Sequence, residues 1–454
     1  MQEIFSFEGA FCDSRNCQIG DLIINSMLSK SSSIVHRIAG SRSREVKFYR
    51  FVKNPKVLRS EMEEAYYDYT HRQVAGKEVV IIQDTTELNY ESFRDQLDEN
   101  DTDLGPVGNG RDIGFFNHCS LVIDAQENLP IGFSDIQLYN RKFGDEKSPY
   151  KNRPIEEKES YRWIRAMEHS KEVCSHASIR WFVSDRESDI YYMYDKVQEP
   201  DNHFVIRAAQ NRLVDSDSKG DRLFQYISAQ DIIGEYNLEV NDPKTAEKQV
   251  LNIAVKAGRV KVKRPAKGDK DLVEFVEMSF VEARSIESKR IHWVLLTDVE
   301  INSVADALKI VERYKQRWHI EVFFGLLKSK GLNVELSQFT VGDNLKTICL
   351  LAMKAALRIN QLRLAFKNKD CQTPASAFFD KQEVKILIRL NGQYEGKTEK
   401  QKNPFNKKSV AWAAWIMARM GGWKSYFSQH DPGIATFTRG YMELCTLHKY
   451  SIVK

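Results

Sequence analysis

Between residues 78 and 207 the chain passes through three apolar, strand-like stretches in succession and then alternates helix with strand. "EVVIIQD" is a continuous apolar run closing on Asp84, and "HCSLVID" and "IGFSDIQLY" follow it. An unbroken Val/Ile run is the pattern of a strand covered on both faces. "IEEKESYRWIRAMEHSKEV" then has helical periodicity, "SIRWFVSD" is a strand closing on Asp185, "SDIYYMYDKV" is a helix and "HFVIRAA" a strand. The order βββαβαβ predicts an α/β fold.

Helices are expected on both sides of this core. "DLIINSMLSK" and "SEMEEAYYDYTHRQ", joined by "SRSREVKFYRFVKNP", predict a small basic helical module over residues 1–70. After the last strand of the core the alternation stops for about ninety residues, and "LNIAVKAGRVKVKR", "LVEFVEMSFVEA" and "IHWVLLTDVE" predict a β-rich insertion at about 210–300, inside a domain of residues 71–370. Helical periodicity returns at "SVADALKIVERYKQRWHIEVFFGLLKSKG" and persists through "NLKTICLLAMKAALRINQLRLAF". A polar stretch then separates "VAWAAWIMARMGGW" from what precedes it, so residues 371–454 are expected to form a helical C-terminal region.

Within the returning helical region, "YKQRWHIEVFFGLLKSKG" sets Tyr314, Arg317, Glu321 and Lys328 at offsets of three, seven and fourteen. On a continuous helix these fall within a wedge of roughly 60°. Trp318, Ile320, Val322, Phe323, Phe324, Leu326 and Leu327 take most of the remaining circumference, which predicts a buried helix whose narrow charged stripe looks into a site.

Asp84 and Asp185 each close an apolar strand, where α/β sheets place ligand groups, and Glu321 is the natural third member if its helix crosses the same sheet edge. Three hard carboxylates without His or Cys suit Mg²⁺ or Mn²⁺ better than zinc. Asp124, Glu187 and Asp189 are rivals, the last two better explained as carboxylates at the start of the helix after Asp185. A strand-end Asp alone often only caps a turn.

Composition excludes less. The chain of 454 residues, 42% apolar and 29% charged, is long enough for two or three domains, and its formal charge of +4 neither demands nor excludes a polyanionic partner. Seven scattered cysteines without Cys-x-x-Cys spacing favour reduced thiols and a cytoplasmic setting over a disulfide framework. The most apolar helix candidate, "TICLLAMKAALRI", is interrupted by Lys354 and too short to span a bilayer.

The βββαβαβ order, the insertion, and the following helix with an acidic residue resemble the ribonuclease-H-like core of DDE transposases and integrases. "DTTEL" at Asp84, "DRESDI" at Asp185 and Tyr314-x2-Arg317-x3-Glu321-x6-Lys328 resemble the insertion-sequence-4 family of bacterial cut-and-paste transposases, as do "YRFVKNP", "WVLLT" and "ARMGG". The resemblance implies an α/β, ribonuclease-H-like catalytic domain with a β-rich insertion, flanked by a helical N-terminal DNA-binding module and a helical C-terminal dimerisation region. It implies that Asp84, Asp185 and Glu321 hold two Mg²⁺ ions, for which Mn²⁺ can substitute. The partners it implies are double-stranded DNA, as transposon terminal inverted repeats and as target, and a second copy of the chain. One strand is nicked, the freed 3′ hydroxyl forms a hairpin on the opposite strand, and the released end joins a target. A non-catalytic, DNA-binding or dimerising regulator is the alternative.

The resemblance also assigns DNA contacts. Tyr314, Arg317 and Lys328 would hold the strand being cut, and Arg186, Arg207, Arg212 and Arg50 would meet DNA. Trp293 would receive an extruded base, or is an ordinary strand tryptophan. The stretch "VKAGRVKVKRPAKGDK" concentrates Lys256, Arg259, Lys261, Lys263, Arg264 and Lys267, either to track phosphates or as a solvated hairpin face. The amino terminus retains Asp13 and Arg15 but lacks the family's usual run of arginines.

Overall fold

The computed structural model describes residues 5–98, 101–142, 153–197, 199–215, 221–241, 248–266, 270–288, 290–329, 331–424 and 431–451. In chain order they form helices α1 (Ser14–Lys30), α2 (Val35–Ala39), α3 (Arg42–Val52) and α4 (Arg59–Gln73). Strands β1 (Glu78–Asn89), β2 (Gly105–Val107), β3 (Asp112–Asp124) and β4 (Leu129–Tyr139) follow, then helix α5 (Tyr161–Val173), strand β5 (Ile179–Ser184), helix α6 (Tyr191–Lys196) and strand β6 (Asn202–Arg207). The inserted region contains strand β7 (Val214–Asp215), helix α7 (Leu223–Ser228) and strands β8 (Gly234–Asn241), β9 (Lys248–Lys263), β10 (Phe275–Ser285) and β11 (His292–Thr297). Helices α8 (Val304–Lys315), α9 (Trp318–Leu327), α10 (Gly342–Lys367), α11 (Lys381–Tyr394), α12 (Val410–Met420) and α13 (Ile434–Ser451) complete the chain. The class is mixed α/β, and the expected βββαβαβ order is present with the short β2 added.

Two compact units divide the chain: Met1–Ala75 with Thr85–Lys147 and Ile320–Lys454, and Gly76–Asp84 with Ser148–His319. The second unit is built on a sheet ordered β1-β5-β6-β11-β10-β9-β7, with β8 also on β9. Its β1 residues pair in parallel with β5 (Val80↔Trp181), and β5 pairs in parallel with β6 (Phe182↔Phe204). Parallel pairing follows from connections that cross over through helical segments instead of turning back. The inserted strands extend this same sheet, because β11 lies antiparallel to β6 (Ile206↔Leu296) and the long β9/β10 hairpin continues outward from it. α8 brings a helical stripe of buried residues, Ala307, Ile310, Val311 and Tyr314, and α5 one of Trp163, Ile164, Ala166, Met167 and Val173.

In the first unit, β3 pairs antiparallel with β2 and β4, and the last residues of β1 run beside β3. Gly114 is required there, since a Cβ would lie 2.0 Å from the Leu88 carbonyl oxygen. The 26-residue α10 is buried along most of its length among α1, α4, α12, α13 and β4. Trp412 and Trp415 of α12 are fully buried, so the tryptophan-rich segment is core packing of this unit.

Three local expectations change. The basic connector after α1 is itself helical, because Phe48, Phe51 and Val52 of α3 share a buried face. β1 does not end at Asp84 but runs on to Asn89; what stops near Asp84 is the pairing with β5, which covers Glu78 to Ile82. The stripe from Tyr314 to Lys328 is not on one helix: α8 ends at Lys315, and α9 starts at Trp318. The turn between them is closed by i→i−3 bonds, Arg317 N–H to Tyr314 O at 3.0 Å and His319 N–H to Gln316 O at 2.9 Å. Trp318, expected on the buried circumference, is 61% exposed as a consequence.

Candidate active site

Asp84 lies in β1 and Asp185 just past the end of the neighbouring parallel strand β5, each two residues beyond the last register pair, Ile82↔Val183. Residues Val79 to Gln83 are buried, whereas Asp84 is only partly covered; the carboxylate emerges where the apolar run stops. Asp185 immediately follows β5 and caps a short 3₁₀ turn, Arg186–Ser188, by accepting from Arg186 N–H at 2.6 Å. Ser188, fully buried, donates its hydroxyl to the Asp185 carbonyl at 2.8 Å and touches the Ser184 hydroxyl, which fixes the backbone bearing the carboxylate.

Both carboxylates face cations and donors from the second unit's own elements. The Arg317 guanidinium, at the α8–α9 turn and 11% exposed, places Nη1 3.0 Å from Asp84 Oδ2 and Nη2 4.0 Å from Asp185 Oδ2. Tyr314 donates its hydroxyl to Asp185 Oδ1 at 3.4 Å, and Arg207 Nη1 lies 3.9 Å from the same oxygen. Burial, reinforced by the Asp185 charge, holds the Tyr314 phenol above its ordinary pKa, so it is a proton donor at neutral pH. Trp293 of β11 packs edge-on against the Tyr314 ring, with centroids 5.4 Å apart, and is only half-buried. Arg186 is exposed beside Asp185.

Glu321 and Lys328 belong to the first unit. Glu321 lies in the first turn of α9, and Lys328, just past its end, donates to the Glu87 carbonyl at 2.9 Å and pairs with Glu335 at 3.2 Å.

Arg212 departs most from expectation. It is 9% exposed and forks onto Asp189, itself 1% exposed, with Nη2 2.6 Å from Oδ1. Asp189 also accepts from Tyr194 OH at 2.8 Å and from the Ala209 and Gln210 amides at 2.6 Å each. Burial opposes the charge on Arg212, but Asp189 and Tyr194 more than offset this and raise its pKa. This is an internal anchor, not a surface for DNA, and Asp189 is its hub instead of a helix-dipole ornament. Nothing in the linear sequence joins the two residues; only folding brings them together. Glu187 pairs with Arg162 at 2.7 Å, and Asp124 caps the β3–β4 turn through the Gln126 and Glu127 amides.

The basic hairpin is mostly self-neutralised. Arg259 pairs with Glu277 at 3.2 Å, Lys261 lies 3.9 Å from Asp215, its cross-strand partner, and Lys263 lies 3.4 Å from Glu274. Arg264 donates to the Lys270 carbonyl at 2.6 Å and contacts that of Leu272, while Lys256 donates to Ser228 O. Lys267 lies outside the described residues. The amino-terminal helices differ: a groove of about 510 Å³ between α1 and α3 is lined by Arg15, Arg42, Lys47 and Arg50, all four exposed, with Arg42 paired to Glu45 at 3.2 Å. Its acid Asp13 is already bound to Arg15 at 2.9 Å.

A further cluster, Asp380, Glu383 and His448, brings ligand-type atoms within 4.8 Å of one another. Asp380 and Glu383 form the reciprocal capping box of α11, and His448 of α13 lies 3.4 Å from Asp380. Their carboxylates thus have a structural use, tying α13 to the start of α11.

No protein-family model matches the chain. Among the described residues no helix is long and apolar enough to cross a membrane.

Proposed function

We propose that the protein is a metal-dependent DNA-cleaving and strand-transferring enzyme of the transposase type, with a ribonuclease-H-like core. The observation that carries this reading is the pair Asp84 and Asp185, each two residues beyond the last register pair of two adjacent parallel strands and sharing one guanidinium. A guanidinium spanning two carboxylates marks a place where a cation is held, and the donors are hard oxygens suited to Mg²⁺ or Mn²⁺. The strand order supports the finer reading of the core: antiparallel strands from the first half of the chain, then strands parallel to β1 joined through helices.

Asp84 and Asp185 would hold Mg²⁺; Glu321, four residues beyond Arg317, joins them by the resemblance. When bound, such ions supply Lewis-acid stabilisation of charge on attacking and leaving oxygens. The chain's own residues supply the rest. Arg317 can grip a phosphate bidentately, Tyr314 and Trp293 present a donor and a ring beside Asp185, and the groove at Arg50 offers exposed cations to a backbone. A second copy would assemble on the outer faces of the carboxy-terminal helices, where Ile388 and Leu447 are exposed.

The test is incubation of the purified protein with Mg²⁺ or Mn²⁺ and a duplex carrying its own element's terminal repeats, products being resolved under denaturing conditions. Nicked and hairpin-ended strands are expected. Asp84→Asn, Asp185→Asn and Glu321→Gln should abolish both while still binding DNA in the absence of metal. Nicking retained by any one of them removes that residue from the site, and metal-independent cleavage refutes the reading.

A further inference from the structure

We propose that Arg317 is the exchangeable counter-ion of the Asp84–Asp185 pair, so that divalent metal and nucleic-acid phosphate bind with positive coupling because both draw on the same guanidinium. This rests on the function proposed above, and it adds a device that the metal site alone does not require.

Two carboxylates on adjacent strands repel each other unless a cation neutralises them. Here the cation is Arg317, with one nitrogen 3.0 Å from Asp84 and the other 4.0 Å from Asp185. A guanidinium cannot relinquish its charge by losing a proton, so an incoming divalent cation must displace it or bind against its repulsion. The contact is asymmetric: hydrogen-bonded to Asp84, it reaches Asp185 only at the limit of an ion pair. Arg317 also sits in the two-residue turn between α8 and α9, outside either helix. Asp185 does not depend on it alone, since Tyr314 and Arg207 approach the other oxygen.

Two consequences follow from linkage. Without DNA, metal affinity is reduced by the free energy of breaking the Arg317 contacts. With DNA, a phosphate engages the guanidinium, the carboxylates are released, and metal binds more tightly; by reciprocity metal tightens DNA binding by the same factor. The device keeps the site partly neutralised and unloaded until the nucleic acid arrives.

The experiment measures Mn²⁺ binding by loss of the free-ion electron paramagnetic resonance signal, with and without a 30-base-pair duplex at low salt. For the wild type, the duplex is expected to tighten Mn²⁺ binding at least tenfold. Arg317→Gln is expected to bind Mn²⁺ at least tenfold more tightly than wild type without DNA, and to lose most of the enhancement when DNA is added. A variant that merely damaged the site would bind metal more weakly, so the sign is diagnostic. Asp84→Asn and Asp185→Asn should lose Mn²⁺ binding; if they keep it, the metal-site reading itself fails. If they lose it while Arg317→Gln binds no more tightly than wild type, the counter-ion role is overturned and the metal site stands. Should Arg317→Gln not fold by circular dichroism, Arg317→Met replaces it: much of the side-chain volume is kept and the charge is removed, so the same gain is expected, and unchanged affinity overturns the proposal.

Discussion

Replacing Arg212 by Met separates an internal anchor from a DNA contact. The guanidinium is 9% exposed and makes two bonds to Asp189 Oδ1, at 2.6 and 3.1 Å, and one to the Asp189 carbonyl at 2.6 Å. Methionine preserves much of the volume and removes the charge, leaving Asp189 buried with Tyr194 and two backbone amides as neutral donors. Breaking a buried pair by removing one partner costs about 3–5 kcal/mol, and the three surviving donors put this case near the lower end. Asp189→Ala, which also strands the Ala209 and Gln210 amides, belongs near the upper end. For a unit of this size such losses lower Tm by on the order of 10 °C. The double variant Asp189→Asn with Arg212→Met should be less destabilised than the sum of its parts, by about 1–3 kcal/mol. Differential scanning fluorimetry and urea titration measure stability, and duplex affinity is followed against salt under conditions where the variant remains folded. The expected salt slope is that of the wild type. Stability within about 1 kcal/mol of wild type, together with a slope reduced by about one, would refute the anchor and restore Arg212 as a phosphate contact.

Trp293→Ala should slow hairpin formation by about one to two orders of magnitude, from the loss of roughly 1–3 kcal/mol of base stacking, while first-strand nicking persists; equal loss of both steps with a large drop in Tm would make it a packing residue. Arg50→Ala and Lys47→Ala should each weaken duplex binding and reduce the salt slope by about one, whereas Lys261→Ala, whose charge is met by Asp215, should change the slope less; equal effects from all three would contradict the distinction. Burial raises the Asp21 carboxyl to about 6, well above its ordinary value, although it accepts from the Phe7 amide at 2.9 Å. A raised folded-state pKa means stability is fully present below about 4 and is lost as pH rises through about 6. Asp21→Asn should therefore match wild type near pH 4 and exceed it by about 1–2 kcal/mol at pH 7, a figure reduced for partial solvent screening; denaturation curves giving a pH-independent difference would contradict this.

The order of elements was legible because it rests on local pattern. The Val/Ile run of β1, the alternating β3 and β4, and the stripe of Ala307, Ile310, Val311 and Tyr314 on α8 announce themselves by period. The break at Gln316–Arg317 was not legible, since neither Pro nor Gly marks it and every residue from Tyr314 to Leu327 is compatible with a helix; tertiary contacts of Arg317 with two strands decide it. The extension of β1 past Asp84 was hidden because "TTELN" mixes polar residues that are half-covered in the fold. Asp185 follows the end of its strand as the sequence suggests, whereas Asp84 lies inside β1, and what brings the two near one guanidinium is the pairing of β1 with β5.

Charge was the least legible property, and the fold sorts it by displaceability. A basic stretch reads the same in sequence whether its cations are spent or available. In the β9/β10 hairpin, cross-strand and diagonal neighbours supply Glu277, Asp215 and Glu274, so phosphate would compete with carboxylates already near the cations. In the α1–α3 groove, Lys47 and Arg50 are exposed and the local acid is already bound to Arg15. Arg212 and Arg317 are both mostly buried and both face aspartate, yet they differ in kind. Arg212 has several short bonds to one carboxylate that is itself enclosed, so releasing it leaves a buried charge. Arg317 divides itself between two partly exposed carboxylates at 3.0 and 4.0 Å, and either a metal ion or a phosphate can take over one side of that interaction. An arginine set between two carboxylates competes with a metal ion for the same oxygens, so its removal is expected to favour metal binding instead of abolishing it.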